Sequence, residues 1–227
     1  MAIKIMHFDP ETAYTSHEGT ILAQRVVPED INAPFEHQYG HLTRNRAMAG
    51  HAHPTDEIYI VNAGSGYVML GGKIKHVKAG DVIAIPHGVW HTMICTAHDE
   101  EPFLWSALWW DATEGSTLSD EIHVKSFDRH TAKAAHEGTI LADEVVPASM
   151  KAPFWHAYGY LHDGGEMELH NHPKQEVYIV FDGTGYVTVG NEKAEVRPGD
   201  VIHIPPNELH TMTGKKGEPF LWAALWW

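Results

Sequence analysis

HAHPTDEIYI, from His51 to Ile60, has two histidines two positions apart and a glutamate four positions after the second, and HNHPKQEVYI, from His170 to Ile179, repeats the pattern. Residues i and i+2 of an extended strand point to one face, so the two imidazoles of each pair are expected to project together. The proline after each pair favours a turn. The glutamate then begins the next strand and can point back toward the histidines.

A third histidine follows each glutamate at a fixed distance, 34 residues after Glu57 and 34 residues after Glu176. Three imidazoles and a carboxylate suit a divalent transition metal, since imidazole favours Fe, Ni, Cu or Zn and the carboxylate also admits Mn. A metal that prefers six ligands would keep two positions for water, substrate or oxygen, whereas a closed tetrahedral zinc would be structural. We predict one metal site in each half of the chain, with the ligands His51, His53, Glu57, His91, His170, His172, Glu176 and His210.

The two clusters belong to an internal duplication. HEGTILAQRVVP at 17–28 returns as HEGTILADEVVP at 136–147, an offset of 119 residues that the histidines share. EPFLWSALWW at 101–110 returns as EPFLWAALWW at 218–227, and the polar stretch 111–121 between the copies has no counterpart. Repeats of about a hundred residues are domains rather than solenoid units. We predict an N-terminal domain at 1–115, a C-terminal domain at 116–227, and a linker at 111–121.

Each half has the pattern of short strands. IYIVNAGSGYVML at 58–70 and VYIVFDGTGYVTV at 177–189 have β-rich runs on both sides of a glycine-containing turn, which predicts a hairpin in each half. No long segment keeps a helical period. Short strands with turns at this spacing indicate an all-β fold, with an antiparallel sandwich or barrel in each half.

The repeated aromatic blocks are apolar on both faces of a strand. Trp105 and Trp109 share one face, and Leu104 and Trp110 share the other. A strand that is apolar on both sides must be covered on both sides. Contact between domains or between subunits would supply that cover, so we expect a large apolar interface and a homodimer.

The spacing of these residues resembles the two sequence motifs of the cupin superfamily. The first motif is glycine, five residues, His-x-His, three or four residues, glutamate, six residues and glycine. It is matched at His51, His53, Glu57 and Gly64, and again at Gly164, His170, His172, Glu176 and Gly183. The second motif is glycine, five residues, Pro-x-Gly, two residues, histidine, three residues and asparagine. It is matched at Gly80, Pro86, Gly88 and His91, and again at Gly199, Pro205 and His210.

Asn45 and Asn207 stand where these motifs have glycine, and neither copy has the final asparagine. Asparagine tolerates a positive φ, so the replacement at Asn207 is a mild change, and none of the departures removes a ligand. The resemblance implies a bicupin, in which two tandem cupin barrels are antiparallel double-stranded β-helices of jelly-roll type with a metal near one mouth of each. The superfamily includes dioxygenases, decarboxylases, sugar isomerases, lyases and non-catalytic binding or storage proteins, so the fold alone does not name a reaction.

Three further residues are candidates for catalysis. Tyr59 and Tyr178 lie two positions after the glutamates, on the inward side, where each can donate a hydrogen bond to a substrate oxygen or simply fill the barrel. Glu168 lies two positions before His170, where the first copy has Ala49. A buried carboxylate there can act as a general base with a raised pKa, or can orient a ligand imidazole.

Charge and cysteine content indicate which partners and which compartment to expect. The net charge of −14 repels nucleic acid and anionic lipid, so we expect neither as a partner. The lone Cys95 excludes an intrachain disulfide and fits a reducing compartment. The first residues lack the pattern of a signal peptide, and no apolar run is long enough to span a bilayer, so we expect a cytoplasmic protein.

Three functions remain open at this point. The first is a metal-dependent enzyme acting on a small polar or anionic metabolite, favoured as an Fe(II)-type dioxygenase because two open positions can take substrate and O₂. The second is a redox-neutral isomerase or lyase that acts on a sugar acid through a metal-bound enolate. The third is a non-catalytic bicupin that binds a small molecule.

Overall fold

The computed structural model describes residues 3–100, 102–115 and 121–227, and these residues form a nearly all-β protein. The strands up to the linker are β1 Lys4–Met6, β2 Tyr14–Ser16, β3 Ile21–Gln24, β4 Glu36–Leu42, β5 Arg46–Ala47, β6 Thr55–Ala63, β7 Ser65–Leu70, β8 Lys73–Lys78, β9 Val82–Ile85, β10 His91–Cys95 and β11 Phe103–Asp111. The strands after the linker are β12 His123–Lys125, β13 Lys133–Ala135, β14 Ile140–Asp143, β15 Trp155–Leu161, β16 Glu176–Asp182, β17 Gly185–Val189, β18 Glu192–Val196, β19 Val201–Ile204, β20 His210–Gly214 and β21 Phe220–Trp226. Two short 3₁₀ helices cover His136–Gly138 and Ala148–Met150.

In the described residues these strands form four sheets, two in each half. The first half has a sheet in the order β12-β9-β6-β11-β4-β3-β2 and a smaller one in the order β5-β10-β7-β8. The second half has β1-β19-β16-β21-β15-β14-β13 and β18-β17-β20. Each half is therefore a jelly-roll barrel of two facing antiparallel sheets, which confirms the predicted fold class.

The two halves exchange their first strands. β1 pairs with β19 of the second barrel, with Lys4 opposite His203, and β12 pairs with β9 of the first barrel, with His123 opposite Ala84. The domain boundary between residues 115 and 116 stays a prediction. Of the predicted linker, residues 116–120 lie outside the described residues.

The predicted hairpins are wrong, because the strands on either side of each glycine turn belong to different sheets. β6 pairs with β9 and β11, whereas β7 pairs with β8 and β10. Only Gly64 separates β6 from β7, and its φ of 71° turns the chain from one sheet into the facing one. The same corner in the second half uses Gly183, with a φ of 72°. These corners allow one chain to build both walls of a barrel.

The repeated aromatic strands have two buried faces, as the sequence predicts. Trp105 and its neighbours face the interior of the first barrel. Leu104, Leu108 and Trp110 face the other way, into a central core that includes Phe154 and Tyr158 of the second half. The second half of the same chain therefore covers the outer face, and burial of this strand does not require a second subunit.

Matching contacts from both halves join the barrels through that central core. The rings of Phe35 and Phe154 meet edge to face with centroids 4.9 Å apart. The hydroxyl of Tyr39 donates to the carbonyl of Gly199 at 3.3 Å, and the hydroxyl of Tyr158 donates to the carbonyl of Gly80 at 3.1 Å. Buried hydroxyls paired with the backbone of the opposite barrel fix the orientation of the barrels as well as their contact.

Both asparagines that replace motif glycines adopt a left-handed conformation, with φ of 60° at Asn45 and 64° at Asn207. The positive φ expected at Asn207 is thus confirmed, and Asn45 adopts the same conformation. No helix in the described part of the chain has the length and apolar character that a membrane crossing requires.

Truncation of a ring at the junction of the barrels should lower stability strongly. Phe154 is 5% exposed, so Phe154→Ala should reduce the free energy of unfolding by about 3–5 kcal/mol. Its neighbour Trp155 is 54% exposed, and Trp155→Ala serves as a control that should cost about 1 kcal/mol or less. Urea unfolding measures both, and equal losses in the two variants would contradict the assignment of this core.

Candidate metal centres

The predicted ligands of each half converge at one end of its barrel. His51 and His53 precede β6, Glu57 lies in β6, and His91 begins β10. His51 is not in a regular strand; it forms an isolated bridge to His91, with N···O distances of 3.1 and 2.9 Å in the two directions. The N–H of Gly88, in the turn before β10, donates to the carbonyl of His53 at 2.7 Å. Loop hydrogen bonds, rather than strand parity, therefore bring the three imidazoles together.

The second half repeats this arrangement. His170 bridges to His210 with N···O distances of 3.2 and 2.9 Å. The N–H of Asn207 donates to the carbonyl of His172 at 2.7 Å, in the place of Gly88. The asparagine that departs from the motif therefore still positions a histidine.

The donor atoms are close enough to share one ion. In each trio the ligand nitrogens lie within 4.8 Å of one another: His51, His53 and His91 in the first barrel, and His170, His172 and His210 in the second. Oε2 of Glu57 lies 3.0 Å from Nε2 of His53 and 3.3 Å from Nε2 of His91. Oε2 of Glu176 lies 3.0 and 3.2 Å from the equivalent atoms.

Backbone carbonyls orient most of these imidazoles through the other ring nitrogen. The Nδ1 to carbonyl distances are 3.3 Å for His51 to Ala49, 2.9 Å for His53 to Thr55, 3.0 Å for His91 to Val89, 2.9 Å for His170 to Glu168 and 2.9 Å for His210 to Glu208. A carbonyl can only accept, so Nδ1 carries the proton and the lone pair of Nε2 faces the cluster. Nε2 of His91 and of His210 is buried without a hydrogen bond. Buried, unpaired donor atoms beside a carboxylate fit a divalent metal.

The electrostatics of the cluster also favour a cation. Burial and the neighbouring His91 lower the pKa of His51 to about 4, and burial likewise lowers the pKa of His170, so both rings are neutral ligands near pH 7. Burial alone would raise the pKa of Glu57, but the close rings of His53 and His91 outweigh burial and hold that pKa below its usual value. The first cluster therefore combines the neutral imidazole of His51 with the ionised carboxylate of Glu57, and both suit a divalent cation.

The two candidate tyrosines lie beside the clusters. The Tyr59 ring centroid is 5.9 Å from that of His91, and the Tyr178 centroid is 6.1 Å from that of His210. Burial, followed by the charge of the adjacent glutamate, raises the pKa of each hydroxyl well above its usual value of 10. Each hydroxyl therefore keeps its proton and remains a hydrogen-bond donor. Whether either tyrosine takes part in a reaction stays a prediction.

Glu168 has a different position from the one expected. Residues 167–169 form no regular strand, and Met167 rather than Glu168 is buried against the interior of the barrel. The backbone carbonyl of Glu168, not its carboxylate, accepts from Nδ1 of His170. Ala49 provides the same carbonyl in the first half. The expected orienting contact is thus made by the main chain, and a general-base role for the carboxylate stays a prediction.

Sequence reasoning missed a fourth histidine in each cluster. The ring of His17 packs on His51 with centroids 4.5 Å apart, and the ring of His136 packs on His170 at 4.2 Å. Both residues adopt a left-handed conformation, with φ of 50° and 49°. Each is the first residue of the repeated HEGTIL block. The two histidines are separated by 119 residues, the same offset that separates the predicted ligands, and this repetition was the available signal.

The metal centre of the second barrel opens into a cavity of about 370 Å³. His170, His172 and Glu176 lie in its wall together with Tyr178 and His136. The rest of the wall consists mainly of small and apolar residues, among them Ile140, Met167, Ala157 and Trp226. The size lies at the lower end of the range for small-molecule sites.

Comparison with known proteins places these features in a family. The model of the cupin domain family matches the chain twice, at residues 41–110 and 158–227. An uncharacterized protein of Methanocaldococcus jannaschii is 44% identical over 48 residues, which are 21% of this chain and 38% of that protein. The chain thus matches well under two thirds of that relative's length.

Solved structures have the same fold at low sequence identity. A cupin 2 conserved barrel domain protein from Leptotrichia buccalis is 16% identical, with a TM-score of 0.65 over 99% of this chain and 97% of that one. Salicylate 1,2-dioxygenase from Pseudoaminobacter salicylatoxidans is 13% identical, with a TM-score of 0.69 over 95% of this chain and 76% of that one. With both halves matched by the family model and histidine clusters able to hold a metal at equivalent positions, this chain belongs to the cupin domain family and is a bicupin.

Proposed function

We propose that this bicupin is a metal-dependent enzyme that acts on a small anionic metabolite, and that it is a dioxygenase of the Fe(II) type. The observation that carries the proposal is the set of three imidazoles and one carboxylate at each barrel mouth, with Nε2 of His91 and of His210 buried and unpaired. A bound divalent metal would supply a positive centre able to hold an anionic substrate group and O₂. The ion would be Fe, Mn, Ni, Cu or Zn, and iron is the one that suits oxygen chemistry.

The residues of the chain prepare the second centre for this chemistry. Hydrogen bonds from Nδ1 to the carbonyls of Glu168 and Glu208 hold two imidazoles in one tautomer. The hydroxyl of Tyr178 hydrogen-bonds to the Glu176 carboxylate and keeps its proton, so it can donate either to that carboxylate or to a substrate oxygen. The apolar wall of the cavity excludes water around a bound substrate, which strengthens each of these polar contacts.

The fold that this chain shares with salicylate 1,2-dioxygenase supports an oxygen-dependent reaction as the class of activity. The redox-neutral isomerase or lyase and the non-catalytic binding protein remain the alternatives, because one fold carries many activities. We propose further that the protein acts in the cytoplasm, in line with its lone cysteine. A homodimer remains part of the proposal, although the apolar outer face of β11 is already covered within one chain.

The chain should bind two divalent ions, one at each cluster. His51→Ala and His170→Ala should each reduce the content to one ion, because each removes one of four ligands from one centre. His98→Ala, at an exposed histidine outside both clusters, should leave it at two. Elemental analysis after reconstitution with Fe, Mn, Ni, Cu or Zn measures the content. A wild-type chain that stays free of all five ions would refute the proposal.

Fe(II)-loaded protein should consume O₂ with a substrate from a panel of small carboxylic acids. The variant that carries both His51→Ala and His170→Ala should consume none, because both centres have lost a ligand. An oxygen electrode and product analysis provide the measurement. Turnover in an anaerobic chamber would instead establish an isomerase or lyase, and tight binding without turnover would establish a binding protein.

Tyr178→Phe should lower kcat by about 10²-fold, the usual effect of losing one preorganised donor to a developing negative charge. Its metal content should stay unchanged, since Tyr178 is not a ligand. Tyr186→Phe removes a hydroxyl from a partly exposed position on β17 and serves as the matched control. Steady-state kinetics compares the two variants. An unaltered kcat in Tyr178→Phe would contradict a role in the reaction and would show that the Tyr178 ring only packs in the barrel.

A further inference from the structure

The two metal centres have nearly the same surroundings. Of the residues that line the cavity of the second barrel, all but two have an identical counterpart in the first barrel. The exceptions are Ala135, whose counterpart is Ser16, and Ala157, whose counterpart is Gln38. Any difference in ligand binding between the two barrels is therefore expected to depend chiefly on these positions.

The Ala157 position is equivalent in the strand register of both barrels. Ala157 of β15 lies opposite Ala224 of β21, and Gln38 of β4 lies opposite Ala107 of β11. The long side chain of Gln38 thus stands where the second barrel has only a methyl group. Oε1 of Gln38 accepts a hydrogen bond from the Tyr14 hydroxyl at 3.5 Å, so a second bulky side chain supports it.

The small residues of the second barrel also connect its cavity to the surface. Ala135, Ala142 and Ala157 line both the cavity at the metal centre and an adjoining groove of about 480 Å³. Lys133, which stands where the first barrel has Tyr14, lines that groove. A ligand can reach the second centre past three methyl groups, whereas in the first barrel Gln38 and Tyr14 stand at the positions equivalent to Ala157 and Lys133.

The wall of the cavity indicates the class of ligand. Its polar side chains are those of the metal cluster with His136, Tyr178 and Tyr158, and the Tyr158 hydroxyl is already paired with the carbonyl of Gly80. The remaining wall consists mainly of alanines, Ile140, Met167 and tryptophan rings. The cavity lining contains no lysine or arginine, and Lys133 lines the adjoining groove rather than the cavity, so the cavity itself offers no protein cation to a second acidic group. Many hydroxyl groups on a ligand would also lie unpaired against this apolar wall, at a cost in free energy.

We propose that the C-terminal barrel alone binds the substrate, that the substrate is a monocarboxylic acid with an apolar body, and that Ala157 and Gln38 decide this difference between the barrels. The inference rests on the proposed function, because the carboxylate needs the metal as its partner. The N-terminal centre then holds its ion in a structural role.

Calorimetric titration of protein loaded with Zn²⁺ tests the proposal, with benzoate, hexanoate and gluconate as probes. Benzoate and hexanoate should each bind at one molecule per chain, and gluconate at least ~10-fold more weakly, since each ~1.4 kcal/mol of unpaired hydroxyl cost is a factor of ten. Ala157→Gln should weaken benzoate binding ~10-fold or more, and Gln38→Ala should raise the stoichiometry to two. Zinc content should remain at two ions per chain in both variants, which shows that the centres are intact.

The measurements separate this inference from the proposed function. A wild-type chain without two bound ions would overturn the metal centres themselves. With both ions present, benzoate at two molecules per chain, or unchanged binding in both variants, would overturn the difference between the barrels. With both ions present, tighter binding of gluconate than of benzoate, or no binding of benzoate and hexanoate, would overturn the class of ligand.

Discussion

The protonated Nδ1 of each oriented ligand histidine is held by a main-chain carbonyl, and the rest of the site depends on that constraint. An imidazole has two nitrogens that can exchange roles, so a metal centre made of free histidines would have several arrangements. Here the carbonyls of Ala49, Thr55 and Val89 hold Nδ1 of each first-barrel histidine, so that Nε2 is the nitrogen left to bind a metal. Because these carbonyls belong to the backbone, replacement of the side chains at those positions leaves the contact in place.

The barrels support this geometry by sharing one core. Tyr39 and Tyr158 reach across to the backbone of the opposite barrel, and the outer faces of β11 and β21 are buried between the halves. The same two strands carry Trp105 and Trp222 on their inner faces, where each indole packs against a ring of the site, Tyr59 or Tyr178. One face of β11 and β21 therefore packs in the shared core, and the other face packs beside the candidate metal centres.

The sequence was sufficient to predict the convergence of the three histidines and the glutamate in each half, and the two buried faces of the aromatic strands, because each depends on residue types at fixed spacing. It was insufficient where the chain changes sheets: Gly64 has the appearance of a hairpin turn, and only tertiary pairing shows that β6 and β7 face each other across the barrel. The same limit explains Glu168, whose expected orientation assumed a strand that does not form. His17 was missed because it lies 34 residues before His51 with no motif spacing to it, so only its repetition at the offset of 119 residues marked it.

The exchange of β1 and β12 has a consequence for how such a duplicated protein can evolve. Each barrel has an edge strand completed by the other repeat, since β19 takes β1 and β9 takes β12. A gene encoding a single repeat would produce a barrel whose backbone donors and acceptors along that edge lack a partner, and a second copy would be the nearest source of one. Separation of the repeats by gene fission is thus disfavoured. One repeat can still diverge in sequence while the other keeps its residues, as the difference between Gln38 and Ala157 shows.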